Sequence, residues 1–344
     1  MTDMTATMGG SMTGTEAFTI AGLALGDVVP DLPDFADLRL PPVFTYSHPG
    51  QSAFRRRMIR LAELAFGSAR LERIYRDWRR MPRDPSASVF TEAMRILEIE
   101  TEYAEGSAAR IPATGGVLVV ANHPFGIADG LAIGDLVARM RPDVKLMVHS
   151  LLCRPVEARD VLLPVDFSGA AGARRTSAMT RRAAVAWLEA GHVLVIFPAG
   201  GVATAPRPLA RRAADPAWHP FVARLAASKG VRVVPVFVHG QNSRLFQMAS
   251  HFSYPLRVAL LFRETLRRRR GKVRLSVGEP VSLAPGRGMA EDARPAAGEG
   301  ADRIGTRAMA GGAVEQLRRM TFAMAPRRGP RASDEFRYPD RLKW

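Results

Sequence analysis

The sequence predicts an α/β fold, a mostly parallel central sheet flanked by helices, with an N-terminal helical annex. Three apolar runs carry this expectation: Gly116-Val117-Leu118-Val119-Val120, His192-Val193-Leu194-Val195-Ile196, and the stretch from Val231 to Val238. Each is short, rich in β-branched residues and closed by a Pro/Gly/polar turn, which reads as a buried strand. Near-continuous apolar character suits strands covered on both faces in a parallel sheet. The first turn reads Ala121-Asn122-His123-Pro124-Phe125-Gly126-Ile127-Ala128-Asp129-Gly130. The second reads Phe197-Pro198-Ala199-Gly200-Gly201, and the third opens His239-Gly240. Strand ends in open α/β sheets are where chemistry is usually placed.

The remaining elements follow in order. Residues 1–50 carry many Pro, Gly and Asp without a sustained period and read as an irregular lead-in. Residues 51–105 form an amphipathic helical region. Phe54, Met58, Leu61 and Ala65 fall on one stripe, and Leu71, Ile74, Tyr75 and Trp78 continue it after Gly67, with arginines between. Such a basic amphipathic pair either lies in a membrane interface or packs its apolar face on the sheet with its arginines in water. Residues 106–283 form the α/β domain. Beyond the three runs it holds strands at Val144–Val148, Leu162–Phe167 and Lys272–Val277. Helices are expected at Ser177–Ala190, from an Asp215 cap through Leu225, and at Arg257–Arg270. Residues 284–325 read as a linker and C-terminal helix (Ile304 to Phe322), and 326–344 as a disordered tail. No internal repeat is present.

Composition narrows the class. At 344 residues the chain can bury one substantial core, and its formal charge of +16, dominated by Arg, points to an anionic partner. Anionic lipid headgroups fit. Nucleic acid is not expected, since no zinc-finger, RNP-like or homeodomain-like pattern occurs. The single Cys153 allows no disulfide within one chain and reads as a structural thiol in a reducing cytosol. No apolar stretch approaches the ~20 residues that span a bilayer. Met1–Gly14 lacks the basic and apolar regions of a secretory signal.

The turn after the first strand carries the chemistry. A His there can take a proton if a carboxylate holds its other ring nitrogen. His123 and Asp129 fit those roles, and Asp129 also reads as a helix cap. The Asn-His…Asp, Phe-Pro-Ala-Gly and Val-Pro-Val blocks, in this order over roughly residues 100–285, resemble glycerolipid acyltransferases of the lysophosphatidate acyltransferase type. Two departures stand out. Five residues, not four, separate His123 from Asp129, and Ala199 replaces a Glu. Both, with the run His239 to Phe246, resemble a bacterial subgroup described as hemolysin-like or lyso-ornithine-lipid acyltransferase-like.

The resemblance implies a general base, His123, oriented by Asp129, that activates the acceptor's own hydroxyl against a thioester. It implies substrate contacts at Asn122, Gly126, Arg174, Arg175, Phe197, Pro198, Gly200, Gly201 and Asn242. Among these, amides near Gly200, Gly201 or Gly126 serve the oxyanion, and Arg174 and Arg175 fall where the family often places a phosphate-binding Arg. His149, His192, His219, His239 and His251 lack an Asp at comparable spacing; His239 either lines the pocket or makes a structural hydrogen bond. Neither a metal nor a cofactor is expected: there is no Gly-x-Ser-x-Gly elbow, no phosphate-binding loop ending in Gly-Lys-Ser/Thr and no His-Glu-x-x-His.

The expected activity is transfer of a fatty acyl chain from acyl-ACP or acyl-CoA to a lysolipid hydroxyl, the acceptor being lysophosphatidate or a lyso-ornithine-type lipid. The expected place is the cytoplasmic face of the inner membrane, held peripherally. The alternative is a catalytically inactive acyltransferase-fold protein acting as a membrane- or nucleic-acid-associated scaffold, in which His123 and Asp129 are dispensable.

Overall fold

The computed structural model describes residues 44–47, 51–165, 173–283 and 299–337. Its elements are α1 (Ala53–Ala65), α2 (Ser68–Arg80), α3 (Val89–Leu97), β1 (Glu100–Glu105), β2 (Val117–Ala121), α4 (Ile127–Ala138), β3 (Val144–His149), β4 (Leu162–Val165), α5 (Ala173–Glu189), β5 (Val193–Ile196), α6 (Phe221–Ala226), β6 (Arg232–Val238), α7 (Arg244–Phe252), α8 (Tyr254–Arg268), β7 (Lys272–Val277) and α9 (Glu299–Ala323).

The strands form one sheet in the order β1-β7-β6-β2-β5-β3-β4. Every neighbouring pair is parallel except β6 and β7. In β2, all five residues are 0% exposed. Val117, Val119 and Ala121 face the layer of α2, α3, α4, α7 and α8, whereas Leu118 and Val120 face α5, α6 and α9. Burial on both faces explains why the strand shows no polar alternation, and each such Val or Leu contributes ~1.5–3 kcal/mol.

α1 and α2 meet at Gly67, which sits at φ 99. A β-carbon there would come within 2.6 Å of Leu266 Cδ1 on α8, so the elbow needs glycine both for its backbone and for close packing. The apolar stripe does not run continuously across the two helices. Leu71, Tyr75 and Trp78 of α2 are buried, but Phe54, Met58 and Leu61 of α1 are exposed.

Other sequence expectations shift. Residues 100–105, grouped with the helical region, are the edge strand β1, paired in parallel with β7. Asp215 does not cap a helix; α6 starts later, after Pro220. The C-terminal helix already runs from Glu299. The described part of the expected disordered tail is ordered onto the domain. Phe336 is 2% exposed, and its N–H donates to the Asp215 carbonyl at 3.0 Å. Arg318 of α9 holds the same stretch by donating to the carbonyls of Ala332 and Asp334. Of the lead-in, only 44–47 lies within the described residues. There the Thr45 hydroxyl and the Tyr46 N–H both donate to the buried Glu63 carboxylate at 2.6 Å. Burial raises the pKa of Glu63, against the pull of those two bonds.

Candidate active site

β2 lies between β6 and β5 and is parallel to both, with Val120 opposite Ile196 on one side and Pro235 on the other. The turns that leave the carboxyl ends of these strands therefore emerge together, where the connections diverge to opposite sides of the sheet. His123 follows β2 and Phe197 follows β5. Their rings stack at 4.1 Å between centroids with a 26° tilt.

The His123 Nδ1 lies 3.0 Å from Asp129 Oδ2, with the carboxylate side chain 0% exposed and the imidazole 17% exposed. The same Oδ2 accepts the N–H groups of Phe125 at 2.8 Å and Gly126 at 2.9 Å. One carboxylate thus caps α4 and meets the ring. The five intervening residues fit because Gly126 turns at φ 89. A β-carbon on Gly126 would also press on Leu261 and Val202 at 3.2 Å. The Nδ1–Oδ2 contact is at ion-pair distance but off the hydrogen-bond axis, and Oδ1 has no hydrogen-bond partner among the described residues. Catalytic hydrogen bonds are commonly loose before substrate arrives and tighten in its complex.

A second carboxylate reaches the same histidine from the other strand. Asp215 Oδ1 accepts the His123 N–H at 3.2 Å and Oδ2 accepts the Trp218 indole N–H at 3.0 Å. Burial raises the pKa of Asp215; the Trp218 bond is the main opposing influence. The Ala203 N–H closes the arrangement by donating to the His123 carbonyl at 2.7 Å. Sequence reasoning had no access to this link, because the two residues are 92 positions apart.

His123 stands on the wall of a cavity of about 990 Å³. Gly126, Phe197, Pro198, Ala199, Gly200 and Gly201 line it. Its opposite wall is apolar, with Leu71, Ile74, Trp78, Phe90 and Leu97 from the annex helices and Val258 and Leu261 from α8. Asn122 and Asn242 stand behind the wall. Asn122 donates to the Val238 carbonyl at 2.9 Å and accepts the Val238 N–H at 2.7 Å, which locks β2 to the end of β6. Asn242 donates to the Phe125 carbonyl at 3.3 Å. The Gly126 and Gly200 amides are already bonded, to Asp129 and to the Phe197 carbonyl. The Gly201 N–H has no acceptor among the described residues. Arg174 and Arg175 fall in the first turn of α5, where side chains lie outside the described residues.

Among the polar residues of the cavity wall that the sequence did not assign to the site are Ser177, Arg181 and His219. Ser177 and Arg181 are four apart on α5 and share a face. The His219 N–H donates to the Pro198 carbonyl at 2.8 Å. The Phe221 N–H donates to His219 Nδ1 at 3.1 Å, which leaves the ring proton on Nε2. Burial, then Arg181, lower the pKa of His219. His149 also lines the cavity, its ring edge-on to Tyr46 at 6.1 Å between centroids, and the other described histidines are engaged elsewhere. His192 pairs with Asp143 at 2.9 Å, His239 with the Ser276 hydroxyl at 2.8 Å and His251 with the Ala205 carbonyl at 2.9 Å. Burial pushes the Cys153 thiol up to about 12, which suits a structural residue. Among the described residues no cluster of three or more side chains could hold a metal ion.

The sequence pattern of the Acyltransferase family matches residues 63–285, most of the chain, including His123, Asp129 and Asp215. The chain belongs to the acyltransferase family. Among solved structures it is similar to the 1-acyl-sn-glycerophosphate (LPA) acyltransferase PlsC from Thermotoga maritima. The identity is 17%, the match covers 77% of this chain and 96% of that one, and the TM-score is 0.34. No curated protein matches. Within this acyltransferase, no helix among the described residues is long and apolar enough to cross a membrane.

Proposed function

We propose that the protein is a lysolipid O-acyltransferase. The observation that carries this reading is a histidine set against a buried carboxylate on the wall of a large apolar cavity. With Nδ1 turned to Asp129, Nε2 is the nitrogen left for substrate. It removes the proton from the acceptor hydroxyl as that oxygen attacks the thioester carbonyl of acyl-ACP or acyl-CoA. Asp129 stabilises the imidazolium that forms. The tetrahedral oxyanion needs a preorganised donor, and the unengaged Gly201 N–H is the candidate. Collapse expels the donor's thiolate, which takes the proton back from His123 and leaves as the thiol, while the acyl group remains as an ester on the lysolipid. The apolar wall suits an acyl chain.

Arg181, Ser177 and the Nε2–H of His219 form a cationic and hydrogen-bonding edge beside Pro198, suited to a phosphate of either substrate. Ala199 lines the cavity where the family pattern carries a Glu. Without that anchor, a site discriminates less well for a hydroxyl-rich acceptor. This keeps lyso-ornithine lipid beside lysophosphatidate and favours the hemolysin-like, lyso-ornithine-type subgroup.

Peripheral attachment to the cytoplasmic face of the inner membrane completes the reading, and α1 supports it. Phe54, Met58, Leu61 and Leu64 are 76%, 49%, 54% and 59% exposed along one stripe, flanked by Arg55, Arg57 and Arg60. An exposed apolar stripe bordered by arginine suits an anionic lipid interface. The test is an assay of purified protein with one acyl-ACP and one acyl-CoA donor against both lysolipids. Ester product that His123→Ala protein fails to make is expected. Absence of product with every donor and acceptor pair would sink the reading.

A further inference from the structure

We propose that α7 and the loop 206–212 form a second contact for anionic lipid, separate from α1. Large apolar side chains on a surface are usually exposed singly, and clusters of them mark interaction sites. Among the described residues such exposed side chains are concentrated in two places. Four are on α1, only Met81, Tyr103 and Met140 lie elsewhere, and the other four gather here. These are Leu209, 78% exposed, Leu245, 39%, Met248, 37%, and Phe252, 66%.

The patch is built on fixed backbone. Leu245, Met248 and Phe252 share one stripe of α7, while Phe246, Ala249 and Ser250 on the other side are buried. The loop is pinned beside the helix at both ends. The Ala205 N–H donates to Gln247 Oε1, and the Ala213 N–H to Gln241 Oε1, each at 2.8 Å. Between the pins, Arg207, Arg211 and Arg212 are exposed around Leu209, and α7 opens with the exposed Arg244. Residues 205–214 and 244–252 contain no Asp or Glu. Among the described residues these four guanidinium groups make no ion pair.

Leu and Phe tips amid unneutralised arginines match the boundary between acidic headgroups and acyl chains. Guanidinium groups pair with lipid phosphates, while the apolar tips leave water. A nucleic acid would satisfy the cations yet leave Leu209 and Phe252 in water. The position also suits lipid traffic. Phe252 leads through Ser253 into α8, whose Tyr254, Arg257, Val258 and Leu261 line the cavity, and both α1 and α7 pack on α8. The proposal extends the membrane reading of α1 and is independent of the acyl-transfer reading.

Co-sedimentation of the full chain with phosphatidylglycerol-containing and pure phosphatidylcholine vesicles tests it. The variants are Leu209→Glu/Phe252→Glu, Arg207→Gln/Arg211→Gln/Arg212→Gln, and Phe54→Glu/Leu61→Glu as the α1 counterpart. All change exposed side chains, and thermal melting verifies folding. Loss of three cations should weaken partitioning to the anionic vesicles by on the order of 10²-fold, with the salt dependence reduced. The Leu209→Glu/Phe252→Glu pair should weaken it at every salt concentration. Loss with the α1 variant but not with either patch variant overturns this proposal alone. Failure of the parent to bind any vesicle overturns it together with the α1 reading. A dimer in sedimentation velocity that the Leu209→Glu/Phe252→Glu pair dissociates, with vesicle binding unchanged, assigns the patch to a second copy and also overturns it.

Discussion

Two buried carboxylates hold His123, and they hold different parts of it. Asp129, in the turn after β2, sits at the ring nitrogen and bonds the N–H groups of its own turn. Asp215, in the loop after β5, bonds the backbone N–H of His123 and the Trp218 indole. Both are almost fully buried, at 0% and 1% exposure. In the proposed reaction the first acts on the group that moves a proton, whereas the second acts on where that group stands. Burial of a carboxylate near the proposed base therefore does not by itself mark a catalytic partner. The atom that it touches decides.

The comparison is broken or sharpened by substitution. The largest effect belongs to the ring itself. His123→Ala should lower turnover by ~10²–10⁴-fold with little change in melting temperature, measured by steady-state acyl transfer and calorimetry. Asp129→Asn keeps an acceptor for the Phe125 and Gly126 N–H groups but loses the charge beside the ring. Its turnover should fall by ~10²-fold, at the lower end of that range, with the fold retained. Asp215→Ala should reverse the pattern. It leaves two donors, the His123 N–H and the Trp218 indole, buried and unpaired, at about 1–3 kcal/mol each. Denaturation should show that loss of stability, with turnover of the folded fraction changed by less than about tenfold. An Asp215→Ala protein of normal stability and ~10²-fold lower turnover would erase the distinction.

The smallest effect is on pH dependence. Burial raises the folded-state pKa of Asp215 above the ordinary 3.8. The folded state therefore holds the proton where the unfolded state has released it. The stability from that linkage is fully present below 3.8 and is lost as pH rises through the raised value. The melting temperature of the parent should thus fall, relative to Asp215→Asn, as pH increases across that window. Parallel melting curves for the two proteins at every pH would contradict it.

The legibility of this molecule in its sequence follows the range of the signals. β2, β5, β6 and the turn from Asn122 to Gly130 were readable because each is written in under a dozen consecutive residues. The bond between Asp215 and His123, and the return of Phe336 onto the Asp215 loop, join distant segments that carry no local mark. α1 and α2 show a different limit. Both carry apolar stripes among arginines, yet Trp78 is 4% exposed and Phe54 76%. Periodicity reports that a face exists and is silent on what that face meets. Arg181 was hidden for another reason: in so Arg-rich a chain, only its place on the cavity wall distinguishes it.

The lining of the cavity has a consequence for the order of assembly. Phe44, the first described residue, and Phe336, next to the last, both line the same cavity. Closing it therefore requires contacts between segments near the extremes of the described chain, and such closures are slow because the loop entropy must be overcome first. The helices and the β2–β5–β6 ladder can form on shorter loops. A refolding chain should therefore regain its backbone signature before it regains the formed cavity, and during that interval its apolar walls are open to any hydrophobic molecule at hand.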